Sequence, residues 1–248
     1  MPRLYQKAPI VEALCEFQFI PTEPWDLTVP GLVYERICKT FPQKRRRVGI
    51  GIELKQTAEG VEQRVQQGPD RMQFLNQDNT LLVQVGPDLL AVNKLKPYET
   101  WLTFRAAILE HLSIYRDVAK PKAFKRIGLR YINRIEFDAP SLRLEDYFEF
   151  YPRVPEDIPQ IHTSFLSRIE VPYGGGRDLM LLTIGSAVPE GKAAVSILLD
   201  LDYGLCKPQD VTLDSAQEWL ESAHTAVENV FEASITQKSR ELFGEGAA

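Results

Sequence analysis

The chain has 248 residues, 44% of them hydrophobic and 10% aromatic, enough apolar side chain to build a substantial core in one large domain or two small ones. A formal net charge of −5 and a sequence pI near 5.4 argue against a protein that grips duplex nucleic acid by neutralising many phosphates, while leaving room for a local basic patch. No run approaches about eighteen uninterrupted apolar residues, and the opening MPRLYQKAPIVEA has no apolar h-region, so neither a membrane span nor a signal peptide is expected.

Val11, Ala13, Cys15, Phe17 and Phe19 alternate with Glu12, Leu14, Glu16 and Gln18, the period-two pattern of a strand with one buried face. Pro21, Pro24 and Pro30 punctuate the loop that follows, and Pro30 suits the first turn of a helix over about 31–40 with Leu32, Ile37 and Phe41 as its apolar stripe. From Arg46 a second alternation sets Val48, Ile50, Ile52 and Leu54 against Gly49, Gly51, Glu53 and Lys55. Short strands are expected at 61–67, 71–76, 80–85 and 89–93, with turns at Gly68-Pro69, Gln77-Asp78-Asn79 and Gly86-Pro87-Asp88. A helix over about 98–116 closes this half, because Trp101, Phe104, Ile108, Leu112 and Tyr115 recur at three- and four-residue spacing.

The second half repeats that order. A long strand is expected over 124–137, then a short helix over 142–150 with Ser141 as its N-cap. After a connector carrying Pro152, Pro155 and Pro159 come strands near 161–171, 179–186 and 193–203. Gly174-Gly175-Gly176 and Pro189-Glu190-Gly191 fill the turns, and a last helix runs to about Leu242, with Asp214 and Gln217 resembling a capping box. Each half must bury one sheet face under its long helix. The expected fold is therefore α+β: a single domain of two repeats, 1–120 and 121–248, forming an antiparallel sheet with helices on one face. This resembles the duplicated helix-grip or TATA-binding-protein-like saddle, with the two long strands as central neighbours.

In the second long strand Ile127, Leu129, Tyr131, Ile135 and Phe137 share a face with Asn133, while Arg126, Arg130, Arg134 and Glu136 share the other with Gly128 and Ile132. The apolar set belongs under the helices, where Asn133 reads as a structural amide bonded to backbone or to a helix end, with a ligand contact as the alternative. On the outer face Glu12 and Glu16 are expected opposite the arginines. Arg168, Glu170, Asp200 and Asp202 belong to the same face. Asp200 and Asp202, with Glu170 as a third oxygen ligand, would suit a metal-dependent hydrolase, but a solvated charged face needs no metal and desolvates its carboxylates little. Lys44-Arg45-Arg46-Arg47 is the densest basic run; it reads as a solvated edge, or as a phosphate-binding patch.

Cys15, Cys38 and Cys206 are widely spaced, form no CxxC and sit in apolar stretches, so they read as small buried thiols in a reducing compartment, with the cytoplasm as the expected location. His111, His162 and His224 lack ligand spacing and read as structural. The triglycine lacks the Lys-Ser or Lys-Thr of a phosphate-binding loop, and GxSxG, HExxH and GxGxxG are absent.

The segments APIVEALCEF, VQVGPDLLAVN followed by Tyr98 and Trp101, and RIGLRYINRIEF followed by YF resemble, in the same order, a sporadically distributed prokaryotic family of proteins of about this length. The resemblance covers nearly the whole chain and implies no particular reaction, cofactor or catalytic residue. The family's patchy distribution is characteristic of mobile or defence-associated genes, which implies an accessory role in an antiviral, CRISPR-linked system. Together these readings favour a non-enzymatic binding or regulatory protein without cofactor, metal or membrane partner. It would engage a protein, or a second copy of itself, through Glu12, Glu16, Arg126, Arg130 and Arg134. The alternative reading is a nucleic-acid-binding module using Lys44, Arg45, Arg46 and Arg47 with the sheet arginines.

Overall fold

The computed structural model describes residues 5–57, 60–160 and 163–244, and side chains within 48–69 lie outside that description. The expected faces of Val48 to Lys55, the side chains of the strand expected at 61–67, and His162 therefore fall outside the described residues. The chain is α+β, with the order β1 (Ile10–Ile20), α1 (Val29–Ile37), β2 (Gln43–Thr57), β3 (Gly60–Leu75), β4 (Leu81–Gly86), β5 (Leu89–Leu95), α2 (Trp101–Ala119), β6 (Ala123–Phe137), β7 (Leu166–Tyr173), β8 (Asp178–Ala187), β9 (Val195–Leu205), α3 (Ala216–Ser234) and α4 (Gln237–Leu242). The strands form one open antiparallel sheet of nine in the order β2-β3-β4-β5-β1-β6-β9-β8-β7. The two long strands β1 and β6 are central neighbours, with Cys15 opposite Leu129 and Glu16 opposite Gly128. No helix of the described residues is long and apolar enough to cross a membrane.

Period-two alternation decides what each strand buries. Ala13, Cys15, Phe17 and Phe19 of β1 and Ile127, Leu129, Tyr131 and Ile135 of β6 are nearly inaccessible, and they lie on the face that α2 and α3 cover. Phe19 stacks on Tyr115 of α2 at 4.7 Å and Phe17 on Phe124 at 5.7 Å. Each such ring, fully buried, stabilises the fold by about 1.5–3 kcal/mol relative to exposure. Asn133 is buried among them and its Nδ2 donates to the Leu199 carbonyl at 3.1 Å, the backbone partner its position demands.

The helix of the first half begins at Val29, so its buried stripe is Val29, Val33 and Ile37, and Leu32 faces solvent. The expected break at Gly68-Pro69 does not occur: β3 runs unbroken from Gly60 to Leu75, and the irregularity moves to a register shift in β2 between Arg47 and Gly49. Two further differences have one cause. The short helix expected at 142–150 shrinks to a single turn at Leu144–Asp146, and the long final helix breaks at Ile235. The two segments bond each other instead. Thr236 Oγ1 donates to the Asp146 carbonyl and Ser239 Oγ to the Tyr147 carbonyl, both at 2.6 Å; Thr236 N reaches the Tyr147 carbonyl at 3.0 Å and Glu149 N reaches the Ser234 carbonyl at 2.9 Å. Backbone groups satisfied across this joint have no need of a local helix.

The expected capping box at Asp214 and Gln217 does not form: Ser215 is the N-cap residue but makes no side-chain bond to the first turn, its hydroxyl accepting from Thr212 N upstream at 2.9 Å. Asp214 instead accepts from Arg116 Nη2 of α2 at 2.7 Å. Of the cysteines only Cys15 is buried; Cys38 is half-buried and Cys206 exposed, and all three are free thiols.

Candidate interaction surface

Residues directly opposed in antiparallel strands share a face, so the register assigns the outer surface. Gln73 lies opposite Gln84, Gln84 opposite Ala91, Ala91 opposite Glu16, Glu16 opposite Gly128 and Gly128 opposite Gly204. Glu12, Glu16, Arg126, Arg130 and Arg134 all belong to this face, which is the one opposite α2 and α3.

Their side chains form an ion-pair lattice across β1, β6 and β9. Arg130 grips Asp200 with both arms of its fork, Nε to Oδ1 at 2.7 Å and Nη2 to Oδ2 at 2.5 Å. Arg126 lies between two carboxylates, 3.8 Å from Glu16 Oε1 and 3.7 Å from Asp202 Oδ1. Its guanidinium rests on a glycine floor: a Cβ on Gly128 would stand 3.0 Å from Nη1 and one on Gly204 3.4 Å from Nη2. Glu16 also accepts from Arg71 Nη1 of β3 at 3.2 Å. Arg134 Nη1 reaches both Glu190 Oε1 and the Val188 carbonyl at 3.0 Å, holding the turn between β8 and β9. Glu12 heads a hydrogen-bond chain that crosses four strands. Asn93 Nδ2 donates to Glu12 at 2.6 Å, Gln84 Nε2 to Asn93 Oδ1 at 2.9 Å, and Gln73 Nε2 to Gln84 Oε1 at 3.0 Å.

The lattice sets its own electrostatics. Burial pushes the Asp202 carboxyl above its ordinary value, and Arg126 and Arg130 pull it back. The hydrogen bonds to Asp200 hold the Arg130 guanidinium more firmly protonated. The two arginines stay accessible, Arg130 at 40% and Arg126 at 37%, while the carboxylates they hold are mostly covered. Glu170 stands on β7, with β8 between it and Asp202, and pairs with Arg168 at 3.2 Å. The three carboxylates considered for a metal are thus each held by or beside an arginine. Among the described residues no group of three or more His, Cys, Asp or Glu side chains is placed to hold a metal ion.

The basic run divides between the two faces, as strand geometry requires. Lys44 lies 4.6 Å from the Tyr34 ring centroid and Arg46 pairs with Asp70 on the helix side. Arg45 and Arg47 face outward, opposite Gln73 and Arg71, and neither has an ion-pair partner among the described residues. Beside the run, a cleft of about 630 Å³ is lined by Trp25, Tyr34, Phe74, Lys44, Arg46 and Met72, among others.

The helix side holds a polar cluster that the sequence does not announce. Tyr98 and Tyr131 share a hydrogen bond at 3.0 Å, the Tyr131 hydroxyl lies 3.3 Å from His224 Nδ1, and the His224 ring stacks on Trp101 at 4.2 Å. Trp101 Nε1 donates to Glu221 at 2.9 Å. Burial pushes Tyr98 up to about 12, Tyr131 further above its usual range, and His224 down to about 4. The only sequence signal is the pair Tyr98 and Trp101 heading α2; His224 comes from α3, and nothing in its neighbourhood marks it.

His224 is held neutral in the fold, whereas in the unfolded chain it takes up a proton below about pH 6.5. The unfolded state then binds more protons, so stability falls as pH drops from 6.5 to about 4. The expected slope is at most about 1.4 kcal/mol per pH unit, reduced by cation–π attraction to Trp101. Urea unfolding at a series of pH values, on the wild type and on His224→Phe, checks this: the variant should lose most of the dependence in that window, and an unchanged profile would show that His224 does not carry it.

The chain matches no protein-family model and no curated protein.

Proposed function

We propose that this is a binding protein without catalytic role, which docks a protein partner on the outer face of its sheet. The observation that carries the reading is the lattice of Arg126, Arg130, Glu16, Asp200 and Asp202, its arginines the more exposed members, fixed in position by bidentate and cross-strand pairs on the face opposite α2 and α3. Charges held in fixed alternation steer a partner, set its register and reject surfaces of the wrong pattern, and little side-chain entropy is lost when they are already ordered. The strand order supports a two-repeat saddle beneath this face. Outward from the central pair run β5-β4-β3 beside β1 and β9-β8-β7 beside β6, with β2 as an addition to the first half. The family resemblance supports an accessory role in an antiviral system. The test is affinity capture from the native host: wild type should retain a specific protein that Arg130→Glu releases, and a protein retained equally by both would remove this face from the account.

A second reading is favoured at one end of the same face. Arg47 stands directly opposite Arg71, a cation already engaged by Glu16, and neither Arg45 nor Arg47 has an acidic partner among the described residues, so these two outward cations are open to an anion. On the helix side of the same edge Lys44 and Arg46 line a cleft with Trp25 and Tyr34, so the run offers cations for a single-strand backbone on both sides of the sheet, with rings for the bases on one of them. Labelled single-stranded RNA and DNA should then bind at low salt, with affinity falling steeply as salt rises, and Arg45→Glu with Arg47→Glu should reduce binding at least about tenfold. No shift at low salt would dispose of it.

A further inference from the structure

We infer that two copies of the chain associate edge to edge through β7, pairing Leu166–Tyr173 antiparallel with itself about a two-fold axis at Ile169. Among the described residues the strand is the end of the sheet, bonded to β8 alone, so Leu166, Arg168 and Glu170 turn unpaired N–H and C=O groups to the free side, while Pro172 offers a carbonyl only. Its side chains are unusually bare for a strand of this composition: Leu166 is 77% and Ile169 42% exposed, on opposite faces of the strand.

The sequence LSRIEVPY selects both the occupant and the register. Opposed residues in an antiparallel pair must lie on the same face, which limits self-pairing to alternate registers. Pairing about Arg168 sets arginine against arginine, and pairing about Glu170 sets glutamate against glutamate. Pairing about Ile169 sets Arg168 of each copy opposite Glu170 of the other, twice, with the Ile169 side chains meeting on the axis. The existing contact between Arg168 and Glu170 within one chain, 3.2 Å long and well exposed, can be exchanged for these cross-strand pairs. At the other end of the sheet, pairing β2 with β7 would give an open chain of copies in place of a closed dimer. The β7 pair is the closed, charge-complementary solution, and it leaves the outer face free for the partner proposed above.

The test exploits the two-fold. Light scattering on the wild type across a concentration series should show a dimer. Arg168→Glu sets carboxylate against carboxylate at both ends of the pair, and Glu170→Arg sets guanidinium against guanidinium. Each alone should therefore dimerise at least about tenfold more weakly, since like charges directly opposed destabilise a strand pair. Mixed in equal amounts, the two variants should form a heterodimer, because their charges are then complementary throughout. In a Cys206→Ser background, Ile169→Cys should cross-link to itself on oxidation and Leu166→Cys should not, which reads the register even where a charge variant folds poorly. A wild type that stays monomeric at high micromolar concentration, variants that fail to pair when mixed, or equal cross-linking at both positions would each overturn the proposal. Arg130→Glu should leave dimerisation unchanged, so loss of partner capture and loss of the dimer can be told apart.

Discussion

Replacing Asp178 by alanine is expected to lower the unfolding free energy by about 3–5 kcal/mol, the usual cost of removing one member of a buried ionic group and stranding its partners. The carboxylate is 1% exposed and is held from every side. Arg177 Nε and Nη2 donate to Oδ2 at 2.9 and 2.7 Å, Tyr203 Oη donates to the same oxygen at 3.0 Å, and Trp219 Nε1 donates to Oδ1 at 2.9 Å. These partners come from the start of β8, from β9 and from α3, so one side chain ties the second half's sheet to its helix. Burial and the Asp178 charge push the Tyr203 hydroxyl up, so it stays a donor throughout the neutral range. Asp178→Asn keeps the volume and the acceptor for Trp219 while losing the charge that Arg177 requires, and it should fall between the wild type and the alanine variant. Urea unfolding measures both. A cost below about 1 kcal/mol for alanine would mean the group is solvated enough to be dispensable.

Arg130→Ala should cost about 1–2 kcal/mol, toward the lower end of what charged hydrogen bonds contribute because the side chain is partly exposed. The loss arises because Asp200 and Asp202, one of them already pushed toward protonation by burial, are left with less opposing charge. Asp200→Ala in the same background should therefore recover part of the loss, giving a coupling energy of about 0.5–1.5 kcal/mol in a double-mutant cycle. Strictly additive single effects would mean that the pair seen between β6 and β9 contributes nothing to folding. The exchange Arg130→Asp with Asp200→Arg is more informative. It keeps an ion pair between the same strands while inverting the pattern that a partner meets; because the new carboxylate at position 130 stands opposite Asp202, stability should recover much, but not all, of what Arg130→Asp alone loses.

Much of this surface is legible in the chain, because a strand's period of two leaves little freedom. Once Ile127, Leu129, Tyr131 and Ile135 go under the helices, Arg126, Arg130 and Arg134 have to lie together on the other side. The antiparallel pairing of β1 with β6 then brings Glu16 to Arg126. The partners of these residues are harder to assign. Asp200 and Asp202 are spaced equally well for a metal, and only the register of β9 against β6 gives them to the arginines. Gly128 and Gly204 look like weak points in two strands, whereas they are the floor beneath the Arg126 guanidinium; an isolated glycine in a strand signals a close approach without naming what approaches. The basic run reads as a single patch, yet the same period divides it between the faces. Asp178, His224 and the joint between Tyr147 and Thr236 depend on contacts between segments tens of residues apart, and no local pattern encodes them.

If the outer sheet face is the proposed docking surface, a partner reads its charge pattern and not merely the presence of its ion pairs. The most direct measurement is the affinity of the partner captured from the native host for three proteins: wild type, Arg130→Asp, and the exchange variant carrying Arg130→Asp with Asp200→Arg. The exchange variant is expected to be clearly more stable than Arg130→Asp yet to bind the partner at least about thirtyfold more weakly than wild type, as Arg130→Asp does. Recovery of wild-type affinity together with wild-type stability would contradict the proposed role, because the lattice would then serve the fold alone.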